Sequence, residues 1–301
     1  MKNGTELFHL AVAWDWELDR DFIQCLERET HNQGKSFYSL SHHNIAETLA
    51  RLKSGEIQFG SFLDRASDAD PKFLPIVRWL LRSNTITINP PEKLNAAIDK
   101  ATMHLEFLSK GIDVPFTIII SPYNKRKELE LSLSDLARLG RPFIIKPANT
   151  TGAGTGVILG AETLKDVIET RQHHRNDKYL LQERISPDYL GGTKGWFRVF
   201  SVFGTIIPCW WDDETHIYRT LSHDERDVYN LSPLYSTTKK IWEVCGMDFF
   251  STEIVRTTEG KFVAVDYVNE ICDMRLQSQH RDGVPDEVVQ EICRRIVEKV
   301  N

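Results

Sequence analysis

Residues 142–157 read Pro-Phe-Ile-Ile-Lys-Pro-Ala-Asn-Thr-Thr-Gly-Ala-Gly-Thr-Gly-Val. The apolar run Phe143–Lys146 reads as a strand that delivers Lys146, and a loop with Gly152, Gly154 and Gly156 follows it. Glycine lets a backbone approach a phosphate chain and turn its amides toward it, while Thr150, Thr151 and Thr155 add hydroxyl donors. The loop lacks the Gly-Lys-Ser/Thr ending of a P-loop, and position 157 is Val where a dinucleotide fingerprint needs Gly. The next segment, Val157–Leu159, has a strand pattern, so no helix N-terminus follows to receive an anion. A glycine loop between two antiparallel strands acts as a lid over nucleotide phosphates and leaves charge neutralisation to side chains such as Lys146. The same composition also suits a flexible surface turn.

Downstream, the pattern predicts a helix over Glu162–His173 and a strand over Tyr179–Glu183. Trp196–Val202 and Thr205–Trp211 read as a hairpin, with a helix around Leu234–Cys245 and a C-terminal helix from Asp286. Phe249–Arg256 and Phe262–Tyr267 read as strands joined by a Glu259-Gly260 turn. Each strand of that pair brings one carboxylate to the same neighbourhood. Magnesium takes a few hard oxygen ligands together with water and substrate phosphates, so Glu253, Asp266 and the amide oxygen of Asn269 form a sensible set.

Upstream of the loop, Thr117 begins a strand, and Glu92–Lys110 reads as one long helix closed by Gly111 after the break at Asn89-Pro90-Pro91. In the first ninety residues short apolar runs (Phe8–Val12, Phe37–Leu40, Ile57–Leu63, Thr85–Ile88) alternate with helical patterns (Leu18–Glu29, Ile45–Leu52, Phe73–Leu81). That is the rhythm of a parallel α/β domain. The expected fold class is therefore α/β at the N-terminus and α+β beyond it. Lys125-Arg-Lys127 reads as a solvated helix face, and no internal repeat is visible.

Composition narrows the function classes. With 37 basic against 43 acidic side chains the formal charge is −6, which disfavours general attraction to nucleic acid or an anionic membrane, so any phosphate site must be local. The apolar stretch near the N-terminus is too short for a signal peptide or a membrane span. Five scattered cysteines lack the close pairs of zinc or redox motifs, so reduced thiols and a cytoplasmic location are expected.

From about Asn89 to Asn269 these elements, in this order, resemble the ATP-grasp superfamily, in particular its glutamate-ligase and D-alanine:D-alanine ligase branches. Asp99-Lys100, with the trailing stretch from Leu108 to Thr117, resembles the first phosphate-binding lysine of the family. Lys146 resembles the second, which bridges the α-phosphate and the adenine side of the pocket. Tyr179–Ile185 resembles the hinge strand, where Gln182, Glu183 and Ile185 stand at the adenine and ribose positions. Gly195–Ile207 resembles the hairpin that carries a phosphoryl-stabilising arginine, here Arg198; Trp196 stands where the branch has an acidic residue. Arg219 is a second anion candidate, with a surface role as its alternative. The Glu253 to Asp266 interval resembles the family's acidic pair. The family's Glu-x-Asn is here Asp266-x-x-Asn269, so either the strand ends or bulges by Val268, or Asn269 is not a ligand and Glu270 substitutes for it. The usual Asn-Pro-x-x-Gly ending is absent, and Arg275 is a candidate partner for a substrate carboxylate.

The resemblance implies an ATP-grasp fold in which a pre-ATP-grasp α/β domain (1–90) precedes a small lobe with the lid loop (91–184) and a C-terminal lobe with the metal site (185–301). It implies ATP and Mg2+, with Mn2+ as a substitute, bound by Lys100, Lys146, Thr151, Gly152, Gly154, Thr155, Gly156, Gln182, Glu183 and Ile185. Lys146 and Arg198 would be catalytic, and Glu253, Asp266 and Asn269 would hold the metal. The implied enzyme is a carboxylate-amine (or thiol) ligase acting on a small-molecule carboxylate and a nucleophile. No nucleic-acid or membrane partner is expected, and a homodimer is expected if the chain assembles at all. A small-molecule kinase and a non-catalytic nucleotide-binding regulator remain as alternatives.

Overall fold

The structure, a computed structural model, describes residues 4–149 and 156–300. The first unit contains β1 (Glu6–Trp14), α1 (Arg20–Asn32), β2 (Phe37–Leu40), α2 (Ile45–Ser54), β3 (Ile57–Arg65), α3 (Leu74–Leu80) and β4 (Ile86–Ile88). Its strands form a parallel sheet in the order β2-β1-β3-β4. Leu10–Ala13 of β1 are wholly buried because both faces of this central strand are covered. Leu10 and Val12 pack with Phe22 and Leu26 of α1, and Ala11 and Ala13 with Leu52 of α2 and Ile76 of α3.

The second group comprises α4 (Pro91–Ile98), α5 (Lys100–Ser109), β5 (Thr117–Ile120), α6 (Leu133–Leu139), β6 (Phe143–Pro147), β7 (Ile158–Ala161), α7 (Leu164–Thr170) and β8 (Tyr179–Glu183). Its antiparallel sheet runs β5-β8-β6-β7, so β6 and β7 flank the glycine-rich segment as neighbours. The third contains β9 (Tyr189–Leu190), β10 (Thr193–Lys194), β11 (Trp196–Val202), β12 (Thr205–Trp211), β13 (Tyr218–Thr220), α8 (His223–Val228), α9 (Ser232–Cys245), β14 (Phe249–Arg256), β15 (Phe262–Asn269) and α10 (Asp286–Lys299). Its five-stranded antiparallel sheet is ordered β13-β12-β11-β14-β15. The α/β class followed by α+β is therefore the one observed.

The cores tie these groups together. Val289, Ile292, Ile296 and Val297 of α10 share one cluster with β1 and α1 on one side and Phe200, Val202 and Cys209 of the large sheet on the other. Each such side chain removed from water contributes about 1.5–3 kcal/mol, an upper figure for a partly collapsed unfolded chain. A second cluster joins Ala101, Met103 and Phe107 of α5 to Ile241 of α9 and Tyr267 of β15. Among the described residues no helix is long and apolar enough to cross a membrane.

Three local expectations are corrected. The helix expected over Glu92–Lys110 is two helices, because Asp99 adopts an extended backbone (φ −73°, ψ 98°). Its carboxylate caps α5 by accepting from Ala101 N at 2.9 Å and Thr102 N at 3.3 Å. An aspartate gains more from an N-cap than from a helix interior, where its side chain competes for backbone amides. The Glu162–His173 helix shortens to α7, beyond which Arg171 is buried and donates to the carbonyls of Ser121, Arg126 and Lys127. The Lys125–Lys127 run is consequently a turn and loop fastened by Arg171, not a helix face.

Candidate active site

Two lysines, one arginine, two carboxylates and one amide converge where α5, β6, β11, β14 and β15 meet. The break at Asp99 makes Lys100 the first residue of α5, and its backbone N–H donates to the Ala148 carbonyl at 3.0 Å, just beyond β6. Lys178 reaches Asp99 Oδ2 at 2.5 Å, fastening the same corner. The Lys100 ammonium lies 3.8 Å from Asp266 Oδ1.

Lys146, at the end of β6, is 6% exposed. Its ammonium donates to the Val265 carbonyl at 2.9 Å and sits 5.2 Å from the centre of the Tyr267 ring. Burial lowers its pKa to about 8, opposed by the negative charge of Asp266 and reinforced by the positive charge of Lys100. Behind it lies a closed polar chain that the sequence reading did not single out. Gln182 Nε2 donates to Tyr267 Oη at 2.8 Å and to Thr117 Oγ1 at 3.0 Å, and Tyr267 Oη meets His104 Nδ1 at 2.7 Å. Burial, with Lys146 adding to it, pulls His104 down to about 4, so the imidazole shares this bond as a neutral ring.

On the large sheet, Arg198 stands directly opposite Glu253 across β11 and β14. Its Nη1 is hydrogen-bonded to Glu253 Oε1, and its Nε donates to Ser251 Oγ at 3.1 Å. The Asn269 amide, oriented to satisfy both its ends, accepts from Arg198 Nη2 at 2.6 Å and donates to the Ile271 carbonyl at 3.1 Å. Trp196 Nε1 donates to Glu253 Oε2 at 3.2 Å, and the Arg198 guanidinium lies 5.7 Å from the Trp211 ring. Burial raises the Glu253 carboxyl against the pull of Arg198. At Asp266 burial also acts upward, but Lys100, Lys146 and Arg198 together hold the group below the ordinary range.

The strand register explains why these oxygens share a face. Glu253 pairs with Asp266, Ser251 pairs with Asn269, and Ile254 pairs with Ala264, so β15 carries one extra residue on each side of the Glu253–Asp266 pair. Asp266 and Asn269 therefore sit on the Glu253 face, and a bulge resolves their spacing.

Glu253, Asp266 and Asn269 supply three hard oxygens beside three cations. Among the described residues no three His, Cys, Asp or Glu side chains gather as a dedicated metal cage would require. That donor set fits magnesium, which completes its shell with water and substrate phosphates, better than a metal that demands a closed protein shell.

The remaining expected residues are placed as follows. Gln182 points its side chain inward, as above. The Glu183 carboxylate accepts from Phe116 N at 2.6 Å, and its own N–H donates to the Phe116 carbonyl at 3.0 Å. Ile185 is half-buried just after β8. Thr151, Gly152, Gly154 and Thr155 lie outside the described residues, whereas Gly156 has φ +78° and a Cβ there would come within 3.3 Å of the His174 ring. Arg219 pairs with Trp210, so it stands on the opposite face of the sheet from Arg198, bound to Glu225 at 2.7 Å; the surface reading is the one observed. Arg275 is matched by Asp273 at 2.7 Å and Asp282 at 2.8 Å. The Glu270 carboxyl is raised, chiefly by burial. Ser251 and Trp211 also escaped the sequence reading; Ser251 was signalled by lying two residues, one strand period, from Glu253.

No protein-family model and no curated protein matches the sequence. Solved structures are similar to it over nearly its whole length. A RimK domain ATP-grasp protein from Sphaerobacter thermophilus shares 19% identity, with a TM-score of 0.62, over 97% of this chain and 98% of its own. The ATP-grasp ligase PsnB, complexed with a phosphomimetic variant of a minimal precursor, Mg and ADP, shares 14% identity with a TM-score of 0.64, covering 98% of both chains. D-alanine–D-alanine ligase from Bacillus anthracis, complexed with ATP, shares 11% identity with a TM-score of 0.62, over 97% of this chain and 95% of its own. At such identities the likeness speaks for the backbone, and that backbone is the ATP-grasp fold.

Proposed function

We propose that the chain is an ATP-dependent ligase that activates a carboxylate as an acyl phosphate for capture by an amine or another nucleophile. The observation that carries this reading is the convergence of Lys100, Lys146 and Arg198 on the face that holds Glu253, Asp266 and Asn269. Cations interleaved with carboxylates on one face suit a polyphosphate together with a divalent cation better than either alone. The likeness to structures of ATP-grasp ligases with bound nucleotide supports the same reading.

Magnesium, held by Glu253, Asp266 and Asn269, would neutralise charge on the phosphates. Lys100 and Lys146 would bind phosphate oxygens, exchanging their present partners Asp266 and the Val265 carbonyl for them. Arg198 would stabilise charge on the transferring phosphoryl group. A substrate carboxylate oxygen bonds to the γ-phosphorus as the bond to the ADP oxygen breaks. The nucleophile then bonds to the acyl carbon and phosphate leaves, the nucleophile losing its proton. The protein's part is positioning and charge stabilisation, with no covalent enzyme intermediate. A cytoplasmic small-molecule enzyme, homodimeric if assembled, completes the proposal.

Thermal stabilisation by a nonhydrolysable ATP analogue, with and without Mg2+, is the first test, because a ligand of the folded state must raise apparent stability. A Mg-dependent rise is expected, followed by ADP release that requires both a carboxylate and a nucleophile. No shift at millimolar nucleotide overturns the proposal, and a stable phosphorylated product would replace it with the kinase reading.

A further inference from the structure

Trp196 is half-buried and lies outside the five buried hydrophobic clusters of the described residues, so core packing does not account for a tryptophan at this position. It stands two residues before Arg198 on β11, on the same face, with Val255 as its direct partner on β14. Its indole therefore reaches Glu253 diagonally, the reach that long and aromatic side chains have across paired strands. The two oxygens of Glu253 are divided between two donors of different character. Arg198 Nη1 holds Oε1, and Trp196 Nε1 holds Oε2 at 3.2 Å.

The guanidinium is itself fixed by Ser251 at Nε, by Asn269 at Nη2 and by the Trp211 ring beside it. The Trp211 ring is stacked on His216, with centroids 5.4 Å apart and planes inclined by 3°, and its centroid lies 6.5 Å from that of Trp196. The two tryptophans thus brace the Arg198–Glu253 pair, one at each of its members. A second cation at position 196 would offset the charge a metal needs, and a carboxylate there has no N–H with which to hold Glu253. A neutral N–H fixes the carboxylate's rotation, leaves its charge intact and occupies one of about four lone-pair sites.

We infer that Trp196 is a positioning residue that holds the Glu253 carboxylate in the rotation at which it receives a divalent cation. The inference rests on the proposed ligase site. Outer partners of a ligating carboxylate typically change metal affinity 10- to 100-fold when removed.

The test is Mn2+ affinity in the presence of ADP, read by electron paramagnetic resonance as free against bound metal. Wild type is compared with Trp196→Phe and with a protein carrying 3-benzothienylalanine at 196, which keeps the indole shape and deletes only the N–H. Both substituted proteins should bind Mn2+ about tenfold more weakly. ADP affinity measured in excess chelator should stay within about twofold of wild type, a split that a merely structural loss would not give. Equal Mn2+ affinity in wild type and in the benzothienyl protein overturns the inference and leaves the ligase reading standing. Failure of wild type to bind Mn2+ with ADP overturns both. Weakened Mn2+ binding in Trp196→Phe without the same change in the benzothienyl protein assigns the effect to ring shape and also overturns it.

Discussion

Asn269 is paired with Ser251, one residue beyond the partner that a regular ladder running from Glu253–Asp266 would supply. The inserted residue turns Asn269 onto the face of Asp266, and the matching irregularity on the other side makes Val265 the extra residue of β15. The Val265 carbonyl then accepts from Lys146 across the lobes. The same strand thus orients two candidate metal ligands and parks Lys146, a candidate phosphate lysine, beside them.

Asp266→Asn should abolish Mg-dependent ATP turnover while leaving the fold intact. The amide keeps the shape but removes the negative charge that faces Lys100, Lys146 and Arg198. Loss of a metal ligand at a phosphoryl centre removes about 3 kcal/mol or more of stabilisation, a hundredfold or greater fall in kcat. ADP release measured beside a circular-dichroism melt checks both halves, and undiminished turnover rejects Asp266 as a ligand.

Lys146→Ala should weaken nucleotide binding by about 1–3 kcal/mol, the range of a charged hydrogen bond to phosphate. Calorimetric titration with an ATP analogue reads the change directly. Lys146→Arg tests geometry separately from charge, because a guanidinium stays protonated where the buried ammonium has a pKa of about 8. Unaltered affinity in the alanine variant removes Lys146 from the site.

Lys146 and the carboxylates of β14 and β15 were legible because each sits within a locally complete pattern: an apolar strand ending in lysine, and two strands around a Glu259-Gly260 turn. What escaped depends on registers between distant strands. The spacing of Asp266 and Asn269 posed the question of a bulge, and only the pairing with β14 answers it. Arg219 and Arg198 are both arginines of the same sheet, yet the pairing of β12 with β13 sends Arg219 to the other face. The indole of Trp196 finds Glu253 through a contact 57 residues apart in sequence. The polar chain Gln182–Tyr267–His104 likewise joins β8, β15 and α5, which no local pattern relates.

His104 should give the protein an acid-sensitive stability. Its pKa is about 4 in the folded chain against an ordinary 6.5, lowered by burial and by Lys146. Between those values the unfolded chain binds the proton and the folded chain does not, so stability is full above about pH 6.5 and falls as pH drops toward 4. The loss approaches roughly 3 kcal/mol, on the order of 1.36 kcal/mol for each pKa unit. Chemical denaturation at pH 7, 5.5 and 4.5 measures the slope, and His104→Gln should flatten that part of it. Identical pH slopes in the two proteins would show that the imidazole does not titrate as described.

Asp99→Ala should act on both stability and nucleotide binding, because Asp99 fixes the start of α5, where the candidate phosphate lysine Lys100 stands. The substitution removes the cap on Ala101 and Thr102 together with the partner of Lys178. A lost N-cap costs about 1 kcal/mol, up to about 2. The exchange also loosens the first turn of α5, so Lys100 loses its fixed approach to Asp266, and affinity for an ATP analogue should fall severalfold. Asp99→Ser keeps a capping oxygen while discarding the ion pair with Lys178. If the cap is what positions Lys100, the serine variant recovers most of the affinity as well as the stability. Recovery of stability without affinity would instead assign the positioning to the Asp99–Lys178 pair, and unchanged affinity in the alanine variant would detach Lys100 from the nucleotide.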